Sequence, residues 1–144
     1  MSVKNASIRM IYYSKKGEGD MEEKRILVVD DEVSILLAFK KLLQRPFVQV
    51  DTCESMEEAI YNIDHFSYDA AIADLRLSGS LGQEGFQIIS YLKKKTPKAK
   101  AALISAFGLS GTEALAIASG ADFYFEKPVS FKDLNCILKS IGIE

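Results

Sequence analysis

The residues of this chain best suited to do chemistry together are three carboxylates, a hydroxyl and an ammonium. Asp30 and Asp31 follow the run Ile26-Leu-Val-Val29, and Asp74 closes Asp69-Ala-Ala-Ile-Ala-Asp74. Ser105 closes Ala101-Ala-Leu-Ile-Ser105, and Lys127 follows Phe123-Tyr-Phe-Glu126 and precedes Pro128. Brought together, the three carboxylates would repel, and they stay ionised only if a cation neutralises them. Every candidate ligand is an oxygen, so the cation should be hard. Mg²⁺ fits, because it takes a few carboxylates, keeps several waters and favours phosphate oxygens. Lys127 would add a second positive charge that reaches a phosphoryl oxygen as a point charge. Ser105 could hydrogen-bond another. This set suits a carboxylate that attacks a phosphoryl group, a transfer carried mainly by positioning and charge neutralisation.

The elements that must position these residues can be read from the pattern. From Lys24 onward, short apolar runs alternate with stretches of helical period. Ile26 to Val29 is a continuous β-rich run suited to a strand buried on both faces. Val33 to Gln44 follows with Ile35, Leu36, Phe39, Leu42 and Leu43 at helical spacing, and Pro46 marks its end. Val48 to Cys53 reads as a second strand. Ser55-Met-Glu-Glu58 is a capping-box pattern that opens a helix to about His65. Asp69 to Asp74 is a third strand, Phe86 to Lys95 a helix, and Ala101 to Ser105 a fourth strand. Thr112 to Ser119 is a short Ala-rich helix, Phe123 to Glu126 a fifth strand, and Ser130 caps a last helix to about Ser140. Five βα units imply an α/β fold: a single doubly wound domain with a parallel five-stranded sheet. Right-handed crossovers restrict its topology, and the order 2-1-3-4-5 places a crevice at the carboxyl ends of strands one and three. The chemistry-bearing residues all stand at carboxyl ends of strands. Each has a bland alternative: Asp30 and Asp31 as helix caps, Asp74 as a strand end, Ser105 in a turn, Lys127 on the surface. Only their joint arrival at one crevice argues for a site.

Composition bounds the class. The chain has 144 residues, 48% hydrophobic and 26% charged, which suits one globular domain. A net charge of -2 gives no sign of the basic stripe that nucleic-acid binding needs. Cys53 and Cys136 form no CxxC pattern and read as two buried thiols. The single histidine, His65, reads as a surface residue. No run reaches the roughly 18 apolar residues that span a membrane, and no leader is evident, so a cytoplasmic location is expected. Residues 1–23 read as a flexible extension and residues 24–144 as the domain. No output module is expected after Glu144.

Four segments carry a family resemblance: Ile26-Leu-Val-Val-Asp-Asp-Glu32, Ala73-Asp-Leu-Arg-Leu77, Ile104-Ser-Ala106 and Gly120-Ala-Asp-Phe-Tyr-Phe-Glu-Lys-Pro128. They resemble the signature motifs of response-regulator receiver domains, over residues 24 to about 140. The resemblance implies that Asp74 is phosphorylated, with Lys127 and Ser105 as its catalytic partners. Asp31, Asp74 and the Arg76 backbone carbonyl would hold Mg²⁺ directly, and Asp30 would act through a metal-bound water. Ser105 would be the switch hydroxyl and Tyr124 the switch aromatic, and the Lys127–Pro128 peptide would be cis. The phosphoryl donor would be a histidine kinase or a phosphotransfer protein. Output would pass through the face of helix four, strand five and helix five, to a partner protein or a homodimer. The chain would catalyse only its own phosphorylation and dephosphorylation. The loop from Ser78 to Gly85 departs from the family pattern by an insertion and lacks the usual proline near Ser78. With Arg76 and Phe107 flanking the site, slowed phosphate loss is expected. The main rival is a pseudo-receiver that binds partners without phosphorylation, against which the intact Asp, Ser and Lys set argues. A small-molecule phosphotransferase would need an Asp-x-Asp pair, and a nucleotide-binding fold would need a Gly-rich loop after strand one.

Overall fold

A computed structural model describes residues 22–77, 84–106 and 112–143, though nothing of the Thr112 side chain. Residues 1–21 of the extension and most of the lengthened loop, together with Phe107, lie outside the described residues. The chain alternates β1 (Lys24–Val29), α1 (Val33–Leu43), β2 (Val48–Cys53), α2 (Met56–His65) and β3 (Ala70–Asp74). It continues with α3 (Glu84–Lys95), β4 (Lys100–Ser105), α4 (Thr112–Ala118), β5 (Phe123–Glu126) and α5 (Phe131–Ser140). The strands form one parallel sheet in the order β2-β1-β3-β4-β5, as the sequence pattern predicts. Ile26 pairs with Ala70, Asp74 with Ile104, and Ser105 with Glu126.

The sheet is covered on both sides because β1, β3 and β4 are apolar at successive positions. Period-two alternation splits their side chains between two cores. Leu27, Val29, Ala71, Ala73 and Leu103 meet Ala59 and Ile63 of α2, and Ile88, Ile89 and Leu92 of α3. Ile26, Val28, Ile72 and Ile104 meet Leu36, Phe39 and Leu43 of α1, and Leu134, Ile137 and Leu138 of α5. The helix ends are set locally. Ser130 and Asp133 form a reciprocal capping box at the start of α5. The box expected at α2 is only half made. Ser55 Oγ accepts from the Glu58 N–H, but the Glu58 carboxylate accepts from the Glu54 N–H instead of closing on Ser55. Helix α3 begins at Glu84, two residues earlier than the apolar pattern indicates. The first turn carries Gly85 against the end of β3, so apolar period alone does not mark it.

One expectation on the cysteines is corrected. Cys53 is buried, and burial, with the charges of Glu58 and Asp51, pushes its thiol up to about 12. Cys136 is exposed, because the buried side of α5 is Leu134, Ile137 and Leu138 and position 136 falls off that stripe. His65 is exposed, as expected, with Nδ1 2.7 Å from the Tyr61 carbonyl. Among the described residues no helix is long and apolar enough to cross a membrane.

Candidate functional site

The carboxyl ends of β1, β3 and β5 meet at one end of the sheet, and there the sequence-predicted residues converge. Asp30 directly follows β1 and is 1% exposed, while Asp74 is the last residue of β3 and is 6% exposed. Both are carried by strands locked on two sides, so their main chain has little freedom. Lys127 follows β5, where its N–H donates to the Ser105 carbonyl and its peptide bond to Pro128 is cis. Its Nζ lies 2.8 Å from Asp74 Oδ2 and 3.6 Å from Asp30 Oδ2, so one ammonium bridges both buried carboxylates. Asp74 Oδ1 also accepts the Arg76 N–H at 3.3 Å, while the Arg76 side chain is exposed. Helix α3 is pressed against this corner. A Cβ on Gly85 would lie 2.6 Å from Leu75 Cα and 2.7 Å from the Asp74 carbonyl oxygen.

The electrostatics follow from burial and neighbours. Burial pushes Asp30 up to about 6; the charges of Asp74 and Asp31 add to this, and the Glu32 N–H and Lys127 act against it. Burial alone would lower the Lys127 pKa, but its hydrogen bond to Asp74 and the charges of Asp74, Asp30 and Glu32 leave it raised. The lysine is therefore a fixed cation in a pocket that still carries excess negative charge. Asp30, Asp31 and Glu32 bring carboxylate oxygens within 4.8 Å of one another, Asp30 buried and the other two exposed at the mouth. This all-oxygen, net-acidic donor set fits a hard divalent cation such as Mg²⁺. Asp74 stands apart from that trio, joined to Asp30 through Lys127. Glu32 was not among the sequence-predicted ligands; its only sequence signal is adjacency to the Asp pair. Ser105 is 1% exposed at the end of β4, and its Oγ lies 2.5 Å from the Tyr124 hydroxyl. The two expected switch residues thus touch directly, with the half-buried Tyr124 ring against the α2–α3 core.

A family model described as the response regulator receiver domain matches residues 26–139. The two-component response regulator PhoP of Pseudomonas aeruginosa is 28% identical over 117 residues, covering 81% of this chain and 51% of that protein. The transcriptional regulatory protein ResD of Bacillus subtilis is 31% identical over 119 residues, covering 83% of this chain and 48% of that protein. The chain thus spans about half the length of these two relatives. A CheY-like receiver domain from Methanospirillum hungatei superposes with a TM-score of 0.71 at 28% identity, covering 81% of this chain and 90% of that one. The strand order, the acidic corner and the extent of the family match agree: the chain belongs to the response regulator receiver domain family.

Proposed function

We propose that this receiver accepts a phosphoryl group on Asp74 and passes the resulting change of conformation to a partner. The observation that carries the reading is the bridge of Lys127 Nζ between Asp74 Oδ2 and Asp30 Oδ2 at the carboxyl edge of the sheet. A carboxylate placed beside a fixed ammonium has its developing phosphoryl charge met in advance, with no reorganisation needed during transfer. A histidine kinase or phosphotransfer protein is the donor, as family membership supports. The P–N bond of its phosphohistidine breaks while a P–O bond forms to an Asp74 carboxylate oxygen. The imidazole nitrogen keeps the electron pair. Attack by water later returns the carboxylate and inorganic phosphate.

Asp31, Asp74 and the Arg76 carbonyl would hold Mg²⁺, with Asp30 behind it through water and Glu32 at the mouth. Bound there, the ion would supply positive charge to the phosphoryl oxygens and to the carboxylates around them. Lys127 and the Ser105 hydroxyl address the remaining phosphoryl oxygens. Output leaves by the α4–β5–α5 face, to a partner protein or a second copy. Leu115 and Ile117 of α4 and Phe131 of α5 are 53%, 66% and 53% exposed, which supports an apolar contact there. Phe123 and Phe125, in contrast, are half-buried against the α1–α5 core. The chain acts as a cytoplasmic signalling domain whose only chemistry is on itself.

Intact-mass measurement after acetyl phosphate treatment tests the reading. A gain of one phosphoryl group is expected with Mg²⁺ present and not with chelator. Asp74→Asn should lose the gain entirely. Labelling that survives in Asp74→Asn would refute the assignment.

A further inference from the structure

The amino-terminal ends of β1, β3 and β4 border a polar cleft, at the opposite end of the sheet from Asp74. It lies between Lys24 at the start of β1, Asp69 just before β3, the turn from Thr96 to Ala99, Lys100 at the start of β4, and Ser140 at the end of α5. The cleft gathers three ammoniums, those of Lys24, Lys98 and Lys100, against the one carboxylate of Asp69. Among the described residues the Lys98 and Lys100 side chains have no carboxylate partner, and Lys24 Nζ stands 3.7 Å from the exposed Glu22. Lys93 and Lys95, just before this turn, are in contrast paired with Asp122 and Asp64. Nor are the cleft lysines needed to satisfy the helices that end here. The Leu92 carbonyl of α3 accepts the Thr96 N–H, and in α5 Leu138 and Lys139 accept from Ile143 and Gly142.

Asp69 is held in place by its main chain and by half of its carboxylate. Its N–H donates to the Arg25 carbonyl, its carbonyl accepts the Lys100 N–H, and its Oδ2 accepts the Arg25 N–H at 2.9 Å. Among the described residues Oδ1 has no partner, so it is a fixed acceptor left open. We propose that this cleft binds a small hydroxylated phosphate ester, with the lysines on the phosphate and Asp69 Oδ1 accepting from a hydroxyl. The inference stands independently of the phosphoacceptor reading. Lysine suits the phosphate as a compact charge with rotatable donors; no arginine, the better match to a planar carboxylate, lines the cleft among the described residues. Thr96 and Ser140 add hydroxyls for the remaining oxygens. The volume, about 260 Å³, is below the roughly 300–1,000 Å³ of pockets for drug-sized ligands, so the ester should be no larger than a pentose phosphate.

Ribose 5-phosphate is the probe, titrated into the protein in chelator at low salt and followed by amide chemical shifts. Without a divalent ion the corner around Asp74 carries excess negative charge and repels anions, and five residues of strand, about 15–20 Å, separate it from the cleft. Saturable shifts are therefore expected at Lys24, Asp69 and Lys98 to Lys100, and none with ribose alone. Lys98→Gln with Lys100→Gln should weaken binding by about tenfold or more, the worth of one charge-assisted hydrogen bond. Asp69→Asn can still accept the Arg25 N–H but presents an amide where Oδ1 stood, so it should lose the preference of the wild type for ribose 5-phosphate over inorganic phosphate. Shifts confined to residues 30–32, 74–76 and 127, or no saturable shift at all, would overturn the inference. So would undiminished affinity in the lysine double variant. Inorganic phosphate bound by the wild type as tightly as the ester would overturn the role given to Asp69 and the choice of an ester.

Discussion

At the scale of single residues, Lys127 carries the charge balance of the site. Its Nζ faces Asp74 at 2.8 Å and Asp30 at 3.6 Å, both carboxylates buried. Replacing it with methionine keeps the apolar stem and removes the counter-charge. Lys127→Met is expected to lower stability by about 1–3 kcal/mol at neutral pH, the cost of leaving a buried acceptor unpaired. Urea unfolding measures it, and a variant as stable as wild type would show that water, not the ammonium, balances the pair. These residues were legible in the sequence because carboxylates and a lysine at strand ends have few purely structural uses in common. Other features were not. The bond between Ser105 and Tyr124 depends on two rotamers, which residue types do not specify. Glu32 lies one residue beyond the Asp pair, and only the turn made when Asp30 Oδ1 accepts the Glu32 N–H folds it back to the acidic mouth. The exposure of Cys136 turns on its angle around α5, which an apolar neighbourhood in sequence conceals.

At the scale of elements, the site owes its shape to how closely α3 approaches β3. Gly85 makes that approach: an added Cβ would meet Leu75 Cα at 2.6 Å, the Asp74 carbonyl oxygen at 2.7 Å and Leu103 Cδ1 at 2.9 Å. Two of these three are backbone atoms, so the strain cannot be relieved by turning a side chain. Gly85→Ala is therefore expected to cost about 1–3 kcal/mol, despite alanine's better helix propensity. It should also displace the Asp74 main chain, seen as amide chemical-shift changes at residues 74–76. Unchanged stability together with unchanged shifts would mean that the helix yields instead. Strands β2 and β5 and the starts of α1, α2 and α4 stand where the pattern sets them, because apolar runs and helical period are strong local signals. The first turn of α3 does not, since its glycine is chosen for contact across space and contributes no apolar period. The α2 cap differs for a similar reason: which main-chain N–H the Glu58 carboxylate reaches is decided by the path of residues 54–55 out of β2.

At the scale of the molecule, the acidic corner exists only when the sheet is formed. Asp74 and Lys127 stand 53 positions apart in sequence, and the parallel strands alone bring them within 2.8 Å. In the unfolded chain only the adjacent Asp30, Asp31 and Glu32 remain near one another. A ligand that needs Asp74 as well therefore binds the folded state far better than the unfolded one, and stabilises it by RT ln(1 + [L]/Kd). Here Asp30, Asp31, Glu32 and Asp74 bring more negative charge than Lys127 balances, and the elevated Asp30 pKa reflects the burial of that charge. Magnesium chloride should accordingly raise the melting temperature. At tenfold excess over Kd the gain is about 1.4 kcal/mol, or about 4–7 °C for a domain of this length. Chelation should restore the original midpoint, and Asp31→Asn should flatten the response by removing a charged oxygen from the mouth. The overall net charge of -2 is too small for general screening to mimic this, and sodium chloride at matched ionic strength serves as the control. Equal melting temperatures in the two salts would mean that the carboxylates converge without taking up the ion, leaving Lys127 as their whole neutralisation.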